Sequence, residues 1–245
     1  MKQFGLIGYP LGHSFSKKFF TEKFEKEEID AFYNLFELDD VSKFTQLTKD
    51  IELSGLNVTI PYKEKIIPFL NDLDDTAAKI GAVNVIKFIR ENGTLVLRGF
   101  NSDAIGFENS LKPYLKPHHS SALILGTGGA SKAIDYVLKK LGIVTTFVSR
   151  TAQPGRITYN ELQQTIMAEN TIIVNASPVG TFPHVDECPD IPYHYLTDRH
   201  LLFDVVYNPS ETLFLKKGRE MGAIGLNGEA MLTGQAIAAW EIWSK

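Results

Sequence analysis

The sequence predicts an α/β protein built from two domains: an N-terminal α/β domain, then a doubly wound parallel-sheet domain, with the C-terminal helix returning to the first. Three observations carry this. Short apolar runs alternate with helix-period segments along the whole chain. The run Ala122-Leu123-Ile124-Leu125 passes directly into the glycine-rich turn Gly126-Thr127-Gly128-Gly129-Ala130, and a helix follows. Between the halves, Lys116-Pro117-His118-His119-Ser120 is polar and broken by proline. The helix before that break groups with the second part. The expected boundaries are 1–102, completed by about 229–245, and 103–228.

Element by element, Phe4 to Gly8 reads as a buried strand that runs into a loop shaped by Pro10 and Gly12. Ser14 or Ser16 can cap a helix over about 17–27, on which Phe20 and Phe24 share a face. Residues 32–38 read as a strand, about 41–50 as a helix and Gly55–Ile60 as a strand. Pro61 suits the first turn of a further helix, where its missing N–H costs nothing. A helix near 75–80 leads to a hairpin with arms 83–90 and 94–99, its turn signalled by Asn92-Gly93. Asp103 can cap a helix over about 104–115, which Pro113 bends or shortens.

In the second half, strand 122–125 and helix 129–141 open the alternation, the helix carrying an apolar stripe of Ile134, Val137, Leu138 and Leu141. Strand 144–148, helix 159–167, strand 171–174, strand 201–205 and helix 211–221 continue it. This is the pattern of a doubly wound parallel sheet. A final helix over about 229–243 is long enough to pack back on the first domain.

Composition narrows the function classes. The 245 residues are 44% hydrophobic and 22% charged, which excludes disorder as the dominant state. Twenty-five basic against 29 acidic residues give a net charge of −4, with no electrostatic footprint for nucleic acid. Cys188 is the only cysteine, so no disulfide within the chain and no cysteine-rich metal site can form. The six histidines lack ligand spacing such as His-Glu-x-x-His, so no metal is expected, and His118-His119 reads as part of a solvated linker. No Gly-x-Ser-x-Gly nucleophile elbow is present. No apolar run reaches membrane-spanning length and the first residues lack a signal-peptide pattern. The expectation is a cytoplasmic protein without membrane or nucleic-acid partners, monomeric by default, with a homodimer as the other option.

The glycine turn has the context a phosphate loop needs. Gly126 permits the tight turn, Gly128 permits close approach of a pyrophosphate, and the helix N-terminus offers unpaired N–H groups. The form Gly-x-Gly-Gly-x-Ser ends at Ser131. The alternative is a plain structural turn. The next strand ends Ser149-Arg150-Thr151, without the acid that bonds ribose hydroxyls in an NAD site. Arg150 can face a 2′-phosphate instead, which points to NADP; otherwise it is a solvated strand-end charge. A later strand ends in Asn175-Ala176-Ser177-Pro178, on the side of the sheet where ligands bind. Lys63, read in the first turn of a helix, opposes the helix dipole. It is either a surface lysine or one placed for an anionic or carbonyl ligand.

Taken together, the motifs resemble those of the shikimate 5-dehydrogenase (shikimate/quinate dehydrogenase) family. The resemblance rests on Ile7-Gly8-Tyr9-Pro10-Leu11-Gly12-His13-Ser14-Phe15-Ser16, Asn57-Val58-Thr59-Ile60-Pro61-Tyr62-Lys63, Gly81-Ala82-Val83-Asn84 and Gly99-Phe100-Asn101-Ser102-Asp103. It continues through the glycine turn, Ser149-Arg150-Thr151, Asp204-Val205-Val206-Tyr207-Asn208-Pro209 and Asn227-Gly228-x-x-Met231-Leu232-x-x-Gln235. Ser102 stands where threonine is usual, and Ser149 where asparagine is usual.

The resemblance implies a substrate domain followed by a Rossmann-type NADP-binding domain. It implies NADPH-dependent reduction of 3-dehydroshikimate to shikimate, in chorismate and aromatic amino acid biosynthesis. The alternative is a quinate/shikimate dehydrogenase with relaxed use of NAD and NADP. By the same resemblance Lys63 and Asp103 are catalytic, and Ser14, Ser16, Asn57, Thr59, Asn84, Tyr207 and Gln235 bind substrate. Gly126, Thr127, Gly128, Gly129, Ala130, Ser131, Ser149, Arg150, Thr151, Asn175, Ser177, Val205 and Gly228 bind the cofactor.

Overall fold

The computed structural model describes every residue except His13, which the opening motif includes. The chain divides into two compact units, Met1–Ser102 with Ala236–Lys245, and Asp103–Gln235.

The first unit is built on β1 (Lys2–Gly8), α1 (Phe15–Lys26), β2 (Ala31–Glu37), α2 (Phe44–Asp50) and β3 (Gly55–Val58). β4 (Asp72–Leu73), α3 (Asp75–Ile80), β5 (Val85–Glu91) and β6 (Thr94–Phe100) complete it. Its sheet runs in the order β2-β1-β3-β5-β6-β4. β1 pairs in parallel with β2 and β3, whereas β5 runs antiparallel to both β3 and β6. The β5–β6 turn is the two-residue hairpin that Asn-Gly encodes. Glu91 faces Thr94, and Asn92 and Gly93 both have positive φ.

Because β1 is central, both its faces are covered. Ile7 enters a core with Leu56, Val58, Phe44 and Ile86. Phe4 and Leu6 enter another with Phe20, Phe24, Tyr33 and Trp243. Each such side chain, fully buried, contributes about 1.5–3 kcal/mol. The last part of α8 (Glu229–Ser244) closes that second core: Ala236, Ala239 and Trp243 pack in it, and the Trp243 indole N–H donates to the Ile86 carbonyl at 3.1 Å.

The second unit contains most of α4 (Ser102–Leu111), then β7 (Ser121–Leu125), α5 (Gly129–Lys140), β8 (Val144–Ser149) and β9 (Arg156–Thr158). α6 (Gln164–Glu169), β10 (Ile172–Asn175), β11 (Leu201–Asp204), α7 (Leu213–Glu220) and β12 (Ile224–Leu226) follow. Every neighbouring pair in its sheet is parallel. The order is β12-β11-β10-β7-β8-β9. Read from β9, this is the 3-2-1-4-5-6 arrangement of a dinucleotide-binding sheet, with its switch point between β7 and β10. β7, β10 and β11 are buried along nearly their whole length, as strands covered on both faces must be.

Several expectations are corrected. Pro61 does not open a helix; residues 60–66 form successive turns and the strand before them stops at Val58. The Lys63 carbonyl accepts from Val83 N–H at 2.7 Å, and Ile67 N–H goes to Glu64 instead. Pro68 could not have continued a helical ladder, having no N–H. α4 starts at Ser102 and ends at Leu111, so Asp103 lies inside its first turn rather than capping it; Pro113 sits in a 3₁₀ turn beyond. The helix expected over 159–167 is a 3₁₀ turn, Tyr159–Glu161, followed by the shorter α6. β4, β9 and β12 are too short for period-two alternation to register. His118-His119 is not a solvated linker. His119 is buried, and both rings hydrogen-bond the Arg199 carbonyl, at 3.1 and 3.2 Å. Burial holds the His119 pKa below the usual value.

Candidate active site

Two groups of polar side chains stand apart from the apolar cores, one in each unit.

In the first unit the loop after β1 leads into α1, and Ser14 rather than Ser16 caps that helix: its side chain accepts from Lys17 N–H at 3.3 Å. The hydroxyl proton of Ser14 is not used by that bond. Ser16 lies one residue into the helix, with its hydroxyl near that of Tyr33 on β2. Tyr33 also donates to Asn57 Oδ1 on β3 at 2.7 Å, and Asn57 Nδ2 donates to the Asn84 carbonyl at 3.3 Å. Burial raises the Tyr33 pKa well above the phenol value, and Ser16 opposes part of that rise. Thr59, half-buried, follows β3 with its N–H on the Ile7 carbonyl.

Asn84 precedes β5 and is buried. Its Oδ1 accepts from the Ser102 N–H at 2.7 Å and its Nδ2 donates to Ser102 Oγ at 3.0 Å. Asn101 Nδ2 donates to the Ala82 carbonyl at 2.9 Å. The short segment Ala82-Val83-Asn84 is therefore tied on one side to the Lys63 turn, through Val83, and on the other to the start of α4. Lys63 is half-buried. Asp103, the residue after Ser102, is 6% exposed and belongs to the second unit.

In the second unit, the turn after β7 lies beside the turn after β10. Gly126 has φ +110°, and a Cβ there would stand 3.2 Å from the Ala176 carbonyl, so only glycine fits without strain. Thr127 and Gly128 are exposed, and nothing lies within 4 Å of a Cβ built at Gly128. That leaves open backbone at the N-terminus of α5, where Gly129 and Ala130 form the first turn. Ser131 is buried and turns inward, its hydroxyl donating to the Gly128 carbonyl at 2.5 Å. It shapes the loop instead of facing a ligand.

At the end of β8, Ser149 donates to the Thr151 carbonyl at 2.6 Å, while Arg150 and Thr151 are exposed. The Arg150 charge stands close enough to Tyr159 to oppose the rise that burial causes in that tyrosine's pKa. An open loop of backbone N–H groups and an exposed guanidinium one strand away suit the pyrophosphate and 2′-phosphate of NADP.

The turn after β10 is organised by Asn175 and Asp204, both fully buried. Asn175 Oδ1 accepts from the Ser177 hydroxyl at 2.6 Å, and its Nδ2 donates to Asp204 at 2.9 Å. Asp204 also accepts from Val206 N–H at 3.0 Å and the Thr212 hydroxyl at 2.6 Å. Its pKa is pushed up to about 6 by burial, against these three bonds. The carboxylate thus holds the β10 and β11 loops together, the latter carrying Val205 and exposed Tyr207. Gly228 is buried, with its N–H on the Val206 carbonyl. Gln235, also buried, donates to Leu232 within α8.

Sequence reasoning missed Tyr33 and the role of Asp204. Tyr33 read only as one aromatic in a strand, and only the β1–β2–β3 pairing brings it beside Asn57. Asp204 was visible as part of a motif, but its partners come from residues 29 and 8 positions away. Among the described residues no group of three or more metal-ligating side chains is found. Among the described residues no helix is long and apolar enough to cross a membrane.

The second sheet, with its glycine turn at the switch point, defines a nucleotide-binding α/β protein of the dinucleotide class. A family model described as the shikimate dehydrogenase substrate binding domain matches residues 6–86. The shikimate dehydrogenase (NADP(+)) of Clostridium beijerinckii is 34% identical, over 100% of this chain and 93% of its own length. The crystal structure of shikimate dehydrogenase from Aquifex aeolicus superposes with a TM-score of 0.87 at 35% identity, covering 99% of this chain and 92% of that one. Shikimate 5-dehydrogenase from Thermus thermophilus, solved with NADP(H) and shikimate, gives 0.86 at 28% identity, covering 100% and 94%. The chain belongs to the shikimate dehydrogenase family.

Proposed function

We propose that the protein reversibly reduces 3-dehydroshikimate to shikimate, using NADPH, within aromatic amino acid (chorismate) biosynthesis. NADPH supplies the hydride; the protein must bind the ring, orient it and deliver a proton to the developing alkoxide. The first unit, with the C-terminal part of α8, is the substrate domain, and the dinucleotide sheet is the NADP domain. Ser14 and Ser16 hold the substrate carboxylate, and Asn57, Thr59, Asn84, Tyr207 and Gln235 complete substrate recognition. Fixing the ring this way turns an encounter into an oriented, near-unimolecular step. Lys63, as ammonium, donates or stabilises the proton at the reacting oxygen, and Asp103 serves the same step by orienting the lysine or a substrate hydroxyl. Gly126 to Ser131 form the pyrophosphate loop, Ser149, Arg150 and Thr151 the 2′-phosphate site, and Asn175, Ser177, Val205 and Gly228 the nicotinamide side.

The observation that supports this reading best is the segment Ala82–Asn84. It ties the Lys63 turn, through Val83 N–H, and the residue before Asp103, through the Asn84 side chain. The Lys63 main chain and Ser102, 39 positions apart in sequence, are thereby tied to one three-residue stretch. A steady-state assay with shikimate and quinate, each with NADP and NAD, tests the activity. Turnover is expected with shikimate and NADP above every other combination. Preference for quinate or NAD would replace it with the quinate/shikimate dehydrogenase reading.

A further inference from the structure

Tyr33 has no assigned role, yet it joins two of the residues assigned to substrate. It is 3% exposed, and its ring stacks on Phe20 at 4.9 Å and 14°. A phenol is costly to bury unless its hydroxyl is bonded, and a phenylalanine would pack as well. The hydroxyl is bonded to Asn57, and the direction of that bond follows from chemistry. The Asn84 main-chain carbonyl can only accept, so the Asn57 amide must turn its Nδ2 there and its Oδ1 toward Tyr33. Tyr33 must then spend its one proton on Asn57 Oδ1. Its lone pairs are left to accept, and the Ser16 hydroxyl stands near enough to donate to them and lower the tyrosine's pKa. Asn57 keeps one amide N–H beyond the bond to Asn84.

We infer that Tyr33 is a positioning residue for substrate binding: its buried hydroxyl locks the Asn57 amide in one orientation and keeps its own lone pairs open to the neighbouring Ser16 hydroxyl. A ligand carboxylate collects the Ser16 proton by displacing a neutral acceptor with a charged one, and a bond to a charged acceptor is the stronger. This rests on the assignment of Ser16 and Asn57 to shikimate.

The test is steady-state kinetics of Tyr33→Phe, Ser16→Ala, Asn57→Ala and the Tyr33→Phe/Ser16→Ala double variant, with thermal melts alongside. Tyr33→Phe is expected to raise the KM for shikimate about five- to tenfold, roughly one hydrogen bond's worth, with kcat and the KM for NADP within about twofold. Its effect in the Ser16→Ala background is expected to be smaller, because the two act through one network. Tyr193→Phe, which removes a partly buried hydroxyl bond to Pro189 in the second unit, is the structural control: it should lower Tm and leave shikimate KM alone. If Tyr33→Phe behaves like that control while Ser16→Ala and Asn57→Ala raise the KM, the positioning role is wrong and the site assignment stands. If Ser16→Ala and Asn57→Ala also leave the KM unchanged, the assignment beneath it fails. Should Tyr33→Phe not fold, 3-fluorotyrosine at position 33 keeps the hydroxyl and the packing. Its fluorine resonance is expected to shift with saturating shikimate and not with NADP alone; no shift with shikimate overturns the role.

Discussion

Arg150 follows β8 directly and is exposed, where an acid would serve the ribose of NAD. As partner of a 2′-phosphate it contributes a charge-assisted bond of about 1.5–3 kcal/mol. Arg150→Ala is therefore expected to raise the KM for NADP about ten- to a hundredfold and leave NAD kinetics nearly unchanged. Equal losses with both cofactors would show that Arg150 serves the fold or the common part of the dinucleotide. Asp204 works differently, because its charge is costly where it sits. Its folded pKa of about 6 lies above the ordinary 3.8, so the folded state holds its proton more tightly than the unfolded chain. The stability gained from that proton is complete below the unfolded value and is lost as pH rises through the folded one. Asp204→Asn does not titrate. The stability advantage of the native residue is expected to shrink by up to about 3 kcal/mol between about pH 4 and 7.5. Calorimetric melts of both proteins across that range check the sign; an advantage that grows with pH contradicts it.

At the scale of elements, α1 shows how one residue can serve the fold and the ligand together. Ser14 caps the helix by accepting from Lys17 N–H, which leaves its own proton for an anion. Ser14→Asp separates the two roles. Aspartate is as good a cap and its charge suits a helix N-terminus, so Tm should hold or rise slightly. Against a carboxylate substrate it places like charge on like. The shikimate KM is expected to rise at least about a hundredfold. A variant that binds shikimate normally would reduce Ser14 to a cap. The elements also show what was readable in advance. α1, α3, α5 and the β5–β6 hairpin carry local signals: a serine cap, Asp74 capping Ala77, an apolar stripe, an Asn-Gly turn. The Lys63 turn was misread because its shape is set at a distance, by Val83 taking the Lys63 carbonyl, and no local pattern encodes that bond. The start of α4 was misread by two residues because the N–H of Ser102, its first residue, is taken by Asn84, 18 positions upstream.

At the scale of the whole molecule, the alternation of strands and helices made the α/β class and the doubly wound second sheet legible. The glycine turn after β7, set between a strand and a helix, pointed to the nucleotide side. The proposed catalytic and substrate residues were read only as a set, through the order of their motifs. Taken singly, Lys63 was as good a surface lysine, Asp103 a cap and Asn84 a turn residue. What joins the Lys63 turn, Asn84 and Ser102 is pairing across β1, β3 and β5 and the tether at Ala82–Asn84, and neither is a property of any one segment. The central claim is that Lys63 and Asp103 carry one proton-transfer step, and kcat for the wild type, Lys63→Ala, Asp103→Asn and the double variant tests it most directly. A positioned acid–base group is worth about 10²–10⁴ in rate. Each single variant is expected to lose at least about a hundredfold in kcat while keeping its affinity for NADP. The double variant should lose far less than the product of the two. Full turnover in folded Lys63→Ala, or losses in the two variants that simply multiply, would contradict the account.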